Sequence, residues 1–307
     1  MTSSEPRPAG GPSVALALGA GGAKGLAHIG VIEELTARGF RITAIAGSSM
    51  GALIGGIHAM GKLDVYRDWV VSLAKLDVLR LVDWTLSGGL IKGDRIIDTL
   101  RELIGDTLIE TLPIAFTAVA TDIDRGREMW LTRGPLFDAI RASIAIPTIF
   151  RPHPIDGRRC VDGALLNPVP VTPLIREPAD YVIAVSIDGA ATKPVVPAVS
   201  ETPEPSAATG YRQRIGAFVS RLVAHHGDAV NREPGALELL AQSIELMQAN
   251  LARLRLSAYE PDLLIQMPRN IASAYEFYRA RELIELGRAA ARDALANWPP
   301  AANVEHP

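Results

Sequence analysis

Short apolar runs alternate with apolar residues at helical spacing through much of this chain, and glycine sits at most of the changes of period. Val14 to Leu18 is a continuous apolar run, the pattern of a strand buried on both faces. After it Leu26, Ile29, Ile32 and Leu35 recur at helical spacing until Gly39 stops the helix. Ile42 to Met60, ITAIAGSSMGALIGGIHAM, reads as a strand, a sharp turn and a second helix. Further on, Ile114 to Ala120 and Glu128 to Thr132 predict two strands, with Asp122, Asp124, Arg125 and Gly126 in the hairpin turn between them. A second hairpin about Asp156-Gly157 joins Pro154-Ile155 to Arg159-Cys160-Val161. Asp94 caps a helix running to Leu103, with Ile96, Ile97 and Leu100 on its inner face, and Pro135 starts another that stops before Pro147. Tyr181 to Ile187 reads as a late buried strand.

Two stretches fit less simply. Leu63 to Trp84 is dense in large apolar residues, as a buried helix pair or an apolar wall for an acyl chain would be. From Gly189 to Gly210 the composition shifts to Pro, Ala, Thr, Val and Ser, which marks a linker or loop. Leu237, Leu240, Ile244, Met247, Leu251 and Leu254 then recur at alternating steps of three and four, predicting a long helix with a narrow apolar stripe. That stripe suits packing on the core, with a dimer contact or a flap as alternatives. Ile271 to Trp298 predicts a last helix, Ala-rich and charged on one face. The organisation expected is a disordered tail over 1–13, a core over 14–190, and over 190–307 a Pro/Ala-rich linker or loop followed by C-terminal helices packed on the core.

Composition mainly excludes. The chain has 307 residues, 48% of them hydrophobic, which is ample for a sizeable core. A formal net charge of −3 gives no electrostatic reason to propose nucleic acid as a partner. The single cysteine, Cys160, rules out an internal disulfide and fits a reducing, cytoplasmic compartment. Residues 1–13 lack the apolar stretch of a secretory signal, and no run approaches the roughly 18 apolar residues of a membrane span. Peripheral membrane contact and oligomeric state stay open. No zinc or calcium spacing occurs, so neither a metal nor a cofactor is implied.

The chemistry gathers at two turns. Gly47-Ser48-Ser49-Met50-Gly51 matches G-x-S-x-G, in which the serine is held in a strained turn between strand and helix and its hydroxyl stands clear of the sheet. Gly47 and Gly51 are needed because a Cβ at either place would strike the neighbouring backbone. The helix beyond aims its N–H groups and dipole at Ser49. The other turn is Gly19 to Gly25. It meets the first two positions of G-x-G-x-x-G, but the third falls on Lys24, and the P-loop pattern fails because Gly25 follows the lysine. What is left is a nest of N–H groups from Gly21, Gly22, Ala23, Lys24 and Gly25, suited to a small anion such as an acyl-transfer oxyanion. A nucleotide- or phosphate-binding module using this loop, with Ser49 structural, is the alternative.

Together these residues resemble a known family. Gly21-Gly22-Ala23-Lys24-Gly25, His28-Ile29-Gly30-Val31, the Ser49 pentapeptide, Arg141-Ala142-Ser143-Ile144-Ala145-Ile146-Pro147 and Asp162-Gly163-Ala164 are similar, in order, to blocks of the bacterial patatin-like phospholipases. The resemblance covers about residues 14–190. It implies an α/β fold with a central, mostly parallel sheet flanked by helices in three layers, and hydrolysis of a lipid acyl ester without a cofactor. It also implies Ser49 as nucleophile, Asp162 of the Asp-Gly-Ala block as its base, and the glycine loop as oxyanion hole. The chain itself argues against a histidine relay. After Asp162 only His225, His226 and His306 remain, in a polar segment and a Pro/Ala-rich tail. Val161, Ala164, Leu165 and Leu166 offer Asp162 the apolar setting that raises a carboxyl pKa toward neutrality. His28 is expected to brace its loop, and Cys160 to be a small buried side chain.

Overall fold

The computed structural model describes residues 11–73, 93–190, 236–296 and 298. The second half of the apolar segment ending at Trp84, most of the Gly189–Gly210 linker, His225, His226 and His306 lie outside them.

The apolar runs become one sheet. Its strands are β1 (Ser13–Leu18), β2 (Arg41–Ser48), β3 (Ala115–Asp122), β4 (Arg127–Leu131), β5 (His153–Ile155), β6 (Arg158–Asp162), β7 (Tyr181–Gly189) and β8 (Leu263–Pro268). They lie in the order β5-β6-β3-β2-β1-β7-β8, with β4 also paired to β3. The pairs of β1 with β2 and β7, of β2 with β3, and of β7 with β8 are parallel, so these strands all end at one edge of the sheet. Both predicted hairpins form, β3 with β4 and β5 with β6, each antiparallel. The sheet is mixed, mostly parallel, and flanked by helices as a three-layer α/β/α fold requires.

Its two faces differ in grain. In β1, Val14, Leu16 and Leu18 point into the large cluster that holds α1 (Ala27–Ala37) and α2 (Met50–Ala59). Ala15 and Ala17 point the other way, to Ala44, Ala46 and Ala184. Helix α3 (Leu63–Ser72) buries Leu63, Tyr66 and Val70, so this first part of the apolar segment packs on the core. Helix α4 (Asp94–Ile104) forms where predicted, but Asp94 is its first residue and not its cap, which is Gly93 at φ 77; α5 (Leu136–Ser143) follows Pro135 as expected.

The C-terminal part departs from the sequence pattern in three places. It adds an unpredicted parallel edge strand, β8, to the same sheet. Helix α6 (Ala236–Ala258) forms, but the residues it buries are Ala249, Ala252 and Leu256. The expected stripe straddles the edge of the contact: Leu240, Met247 (61%) and Leu254 (70%) are exposed, and Ile244 and Leu251 are half-buried. The cause is the alanine face of the sheet, which accepts a helix closely only through small side chains. Helix α7 (Ala280–Ala294) starts later than predicted, because residues 271–276 bend toward the glycine loop and Ala274 gives its carbonyl to the Ala23 N–H at 2.8 Å. Helices α1 and α7 touch through glycine: a Cβ on Gly30 would lie 1.9 Å from the Ile284 carbonyl oxygen, and one on Gly287 1.9 Å from that of Ala27.

Candidate active site

Ser49 is the one residue between β2 and α2, and it takes φ 55 and ψ −123. A side chain other than glycine at positive φ costs on the order of 1–3 kcal/mol and persists only where its surroundings impose it. The surroundings here are backbone. A Cβ on Gly47 would come within 2.3 Å of the Gly51 carbonyl oxygen, and one on Gly51 within 2.0 Å of the Leu18 carbonyl oxygen at the end of β1. The Ser49 carbonyl accepts from the N–H groups of Ala52 and Leu53, which starts α2 immediately. The turn predicted from five residues is thus fixed from both sides.

Asp162 ends β6 and reaches the same place from across the sheet. Ser48 is paired with Val119 and Asp162 with Ala120, so a single strand, β3, lies between the serine turn and the carboxylate. The Ser49 side chain lies near enough to the Asp162 carboxylate to favour its charged form. The acid is only 2% exposed, and one of its oxygens accepts the Ala164 N–H at 2.8 Å. Burial disfavours the charged carboxylate and pushes its pKa up to about 6; the Ala164 hydrogen bond and the nearby Ser49 side chain pull the other way. Gly163 is required beside it, since a Cβ there would sit 2.1 Å from the Val119 carbonyl oxygen.

The glycine loop lies against this turn, with Gly25 so close to Met50 that an added Cβ would be 2.4 Å from the Met50 Cβ. Not all of its groups face the serine as free donors. Ala23 spends its N–H on Ala274, and the Lys24 ammonium donates to the Arg269 carbonyl at 3.3 Å, 3.9 Å from the Asp188 carboxylate. Lys24 is therefore a nearly buried tie to the ends of β7 and β8, a role its sequence position did not announce. Gly21 and Gly22 lead into the short turn Gly22–Leu26, with Gly22 at φ 54.

His28 is fully buried, with Nε2 2.7 Å from the Gly19 carbonyl oxygen, and burial lowers its pKa to about 4. It is a neutral brace for the loop, as expected. Cys160 is buried beside Met129. Asp122 holds its own hairpin by accepting the Asp124 and Arg125 N–H groups, and Asp124 pairs with Arg159. Among the described residues no group of three or more His, Cys, Asp or Glu is placed to hold a metal ion, and no helix is long and apolar enough to cross a membrane. Ser143, noted in the sequence only as part of a block, proves to touch the backbone of Ser49.

A serine forced to positive φ at the carboxyl edge of a mostly parallel sheet, with a buried acid one strand away, defines the class: an α/β protein with a sharp strand–serine–helix turn. Comparison with known proteins gives the family. The model described as patatin-like phospholipase matches residues 16–175. An uncharacterized NTE family protein of Mycobacterium tuberculosis is 40% identical, over 92% of this chain and 91% of that one. The neuropathy target esterase of Drosophila melanogaster is 29% identical over 58% of this chain and 13% of its own length. Among solved structures, VipD from Legionella pneumophila aligns with a TM-score of 0.44 at 14% identity, covering 93% of this chain and 67% of that one. The chain belongs to the patatin-like phospholipase family, and membership implies a lipid acyl hydrolase.

Proposed function

We propose that the protein hydrolyses acyl ester bonds of phospholipids or related lipids through a covalent acyl intermediate on Ser49, with Asp162 as the base. The observation that carries this reading is the placing of Ser49, at positive φ, one strand away from a buried Asp162 whose carboxyl pKa is pushed up to about 6. At neutral pH such a carboxylate is mostly ionised yet basic enough to accept a proton. As the Ser49 oxygen attacks the ester carbonyl, its proton passes to Asp162; the alcohol leaves with that proton, and the acyl group stays on Ser49. Water then gives its proton to Asp162, attacks the acyl-serine, and releases the acid as Ser49 recovers its proton. The developing oxyanion is met by backbone N–H groups of the Gly21–Gly25 loop other than that of Ala23, beside the positive end of α2. Lys24 supports the loop from behind.

The phosphate-binding alternative finds less support. A phosphate on the loop would meet Asp188, the carboxylate beside Lys24, and would find the Ala23 N–H already used.

A fluorophosphonate probe tests the proposal. The intact protein should gain one adduct, mapped to Ser49, and Ser49→Ala should gain none and lose hydrolysis of an activated acyl ester. An unlabelled native protein, or an active Ser49→Ala variant, overturns it. Hydrolysis of a lipid panel, reading the acid and head group released, then assigns the substrate.

A further inference from the structure

We infer that Ser143 is a positioning residue that holds the nucleophile's peptide in register with its base. This rests on the reading of Ser49 as nucleophile. The Ser49 N–H donates to the Ser143 hydroxyl oxygen at 3.0 Å, and that hydroxyl donates to the Val119 carbonyl at 2.6 Å. The directions are fixed, because an amide N–H only donates and a carbonyl only accepts. Ser143 therefore uses its one proton on β3 and a lone pair on the serine turn, 94 residues away in sequence.

The position of this link gives it meaning. The β2–β3 ladder ends at the Ser48–Val119 pair, and the chain swings to positive φ at the next residue, carrying the Ser49 N–H off the sheet. The Ser143 hydroxyl supplies the partner that the strand no longer can. The Val119 carbonyl to which it is tied is the one packed against Gly163, directly behind Asp162. Two residues beyond Ser143, the Ala145 carbonyl accepts the Asp162 N–H at 3.0 Å. Residues 143–145, where α5 ends, thus grip the backbone of both Ser49 and Asp162, one by a side chain and the other by a carbonyl. Ser143 is fully buried, so it acts on the reaction only through Ser49.

Removing the hydroxyl leaves a buried N–H and a buried carbonyl unpaired, and the Ser49 peptide is then free to turn. Its side chain moves off Asp162, and misplacement of this kind costs about 10²-fold in rate. Ser143→Ala should therefore lower kcat for an activated acyl ester, and the rate of fluorophosphonate labelling, by about 10- to 100-fold with KM little changed. The Ser49 side chain lowers the Asp162 pKa, so its withdrawal should also move the inflection of the rate profile to higher pH. Ser143→Thr, which keeps the hydroxyl, should recover most of the rate.

Folded Ser143→Ala with native kcat, or with a loss that only follows its folded fraction at an unmoved inflection, overturns the inference. If Ser143→Ala does not fold, Ser143→Cys carries the test with a weaker acceptor of similar size, and native kcat and inflection there have the same force. Native protein labelled at Ser49 alongside unaffected Ser143 variants sinks this inference alone; native protein not labelled at Ser49 sinks both.

Discussion

The turn at Ser49 and helix α6 are both rich in apolar residues at regular spacing, yet only the first is built as its pattern reads. At the turn each position is dictated by backbone: Gly47 and Gly51 leave no space for a Cβ, and Ser49 is driven to positive φ. At α6 half of the apolar stripe, Leu240, Met247 and Leu254, faces outward, and Ala249, Ala252 and Leu256 are the residues buried. The difference lies in what each packs against. The turn meets the ends of its neighbouring strands, whereas α6 meets a sheet face of alanines, where the smallest side chains come closest. Apolar spacing reports that a helix exists; the grain of the opposing surface decides which side it buries.

Substitutions probe this contrast, and the largest effect is expected at the site. Asp162→Asn should lower turnover by about 10³-fold or more, since the amide keeps the cap on Ala164 but accepts no proton. The same change should stabilise the protein above pH 6. Burial pushes the native carboxyl up to about 6 from an ordinary value of 3.8, so the folded state holds its proton more tightly. Its stability contribution is full below about pH 4 and is lost as pH rises through 6, a swing of roughly 3 kcal/mol at most. Melting curves at pH 4.5 and pH 8 check this: the advantage of Asp162→Asn over native protein should be greater at pH 8. An advantage independent of pH would place the cost of Asp162 elsewhere.

Smaller effects separate the two sides of α6. Ala252→Leu forces a large side chain between helix and alanine face and should destabilise by about 1–3 kcal/mol in urea unfolding. Leu254→Gln, two residues away on the 70% exposed side, should change stability by less than about 0.5 kcal/mol. Comparable losses at both positions would mean that the outward stripe is covered in solution.

Much of the site was legible because it is local. The pentapeptide about Ser49 encodes its own strain, and Asp162-Gly163 encodes both a carboxylate and the close approach behind it. The two hairpins announced themselves through Asp and Gly at their turns. What escaped depends on residues distant in sequence. Lys24 looks like a free cation until β8 brings the Arg269 carbonyl to it. The edge strand β8 carries Gln266 and Pro268 among its apolar residues, and only its pairing with β7 marks it as sheet. Ser143 is an ordinary helical serine until Ser49 and Val119 are placed on either side of its hydroxyl.

The central claim is that a carboxylate works the serine without a histidine between them. Its most direct test is the rate of fluorophosphonate labelling at Ser49 against pH, in native protein and in Asp162→Asn. Native labelling should rise with pH through an inflection near 6 and then level off, as burial of Asp162 sets it. In Asp162→Asn the rate should be low and the inflection gone. An inflection that survives in Asp162→Asn would show that some other group takes the serine proton, and would contradict the account.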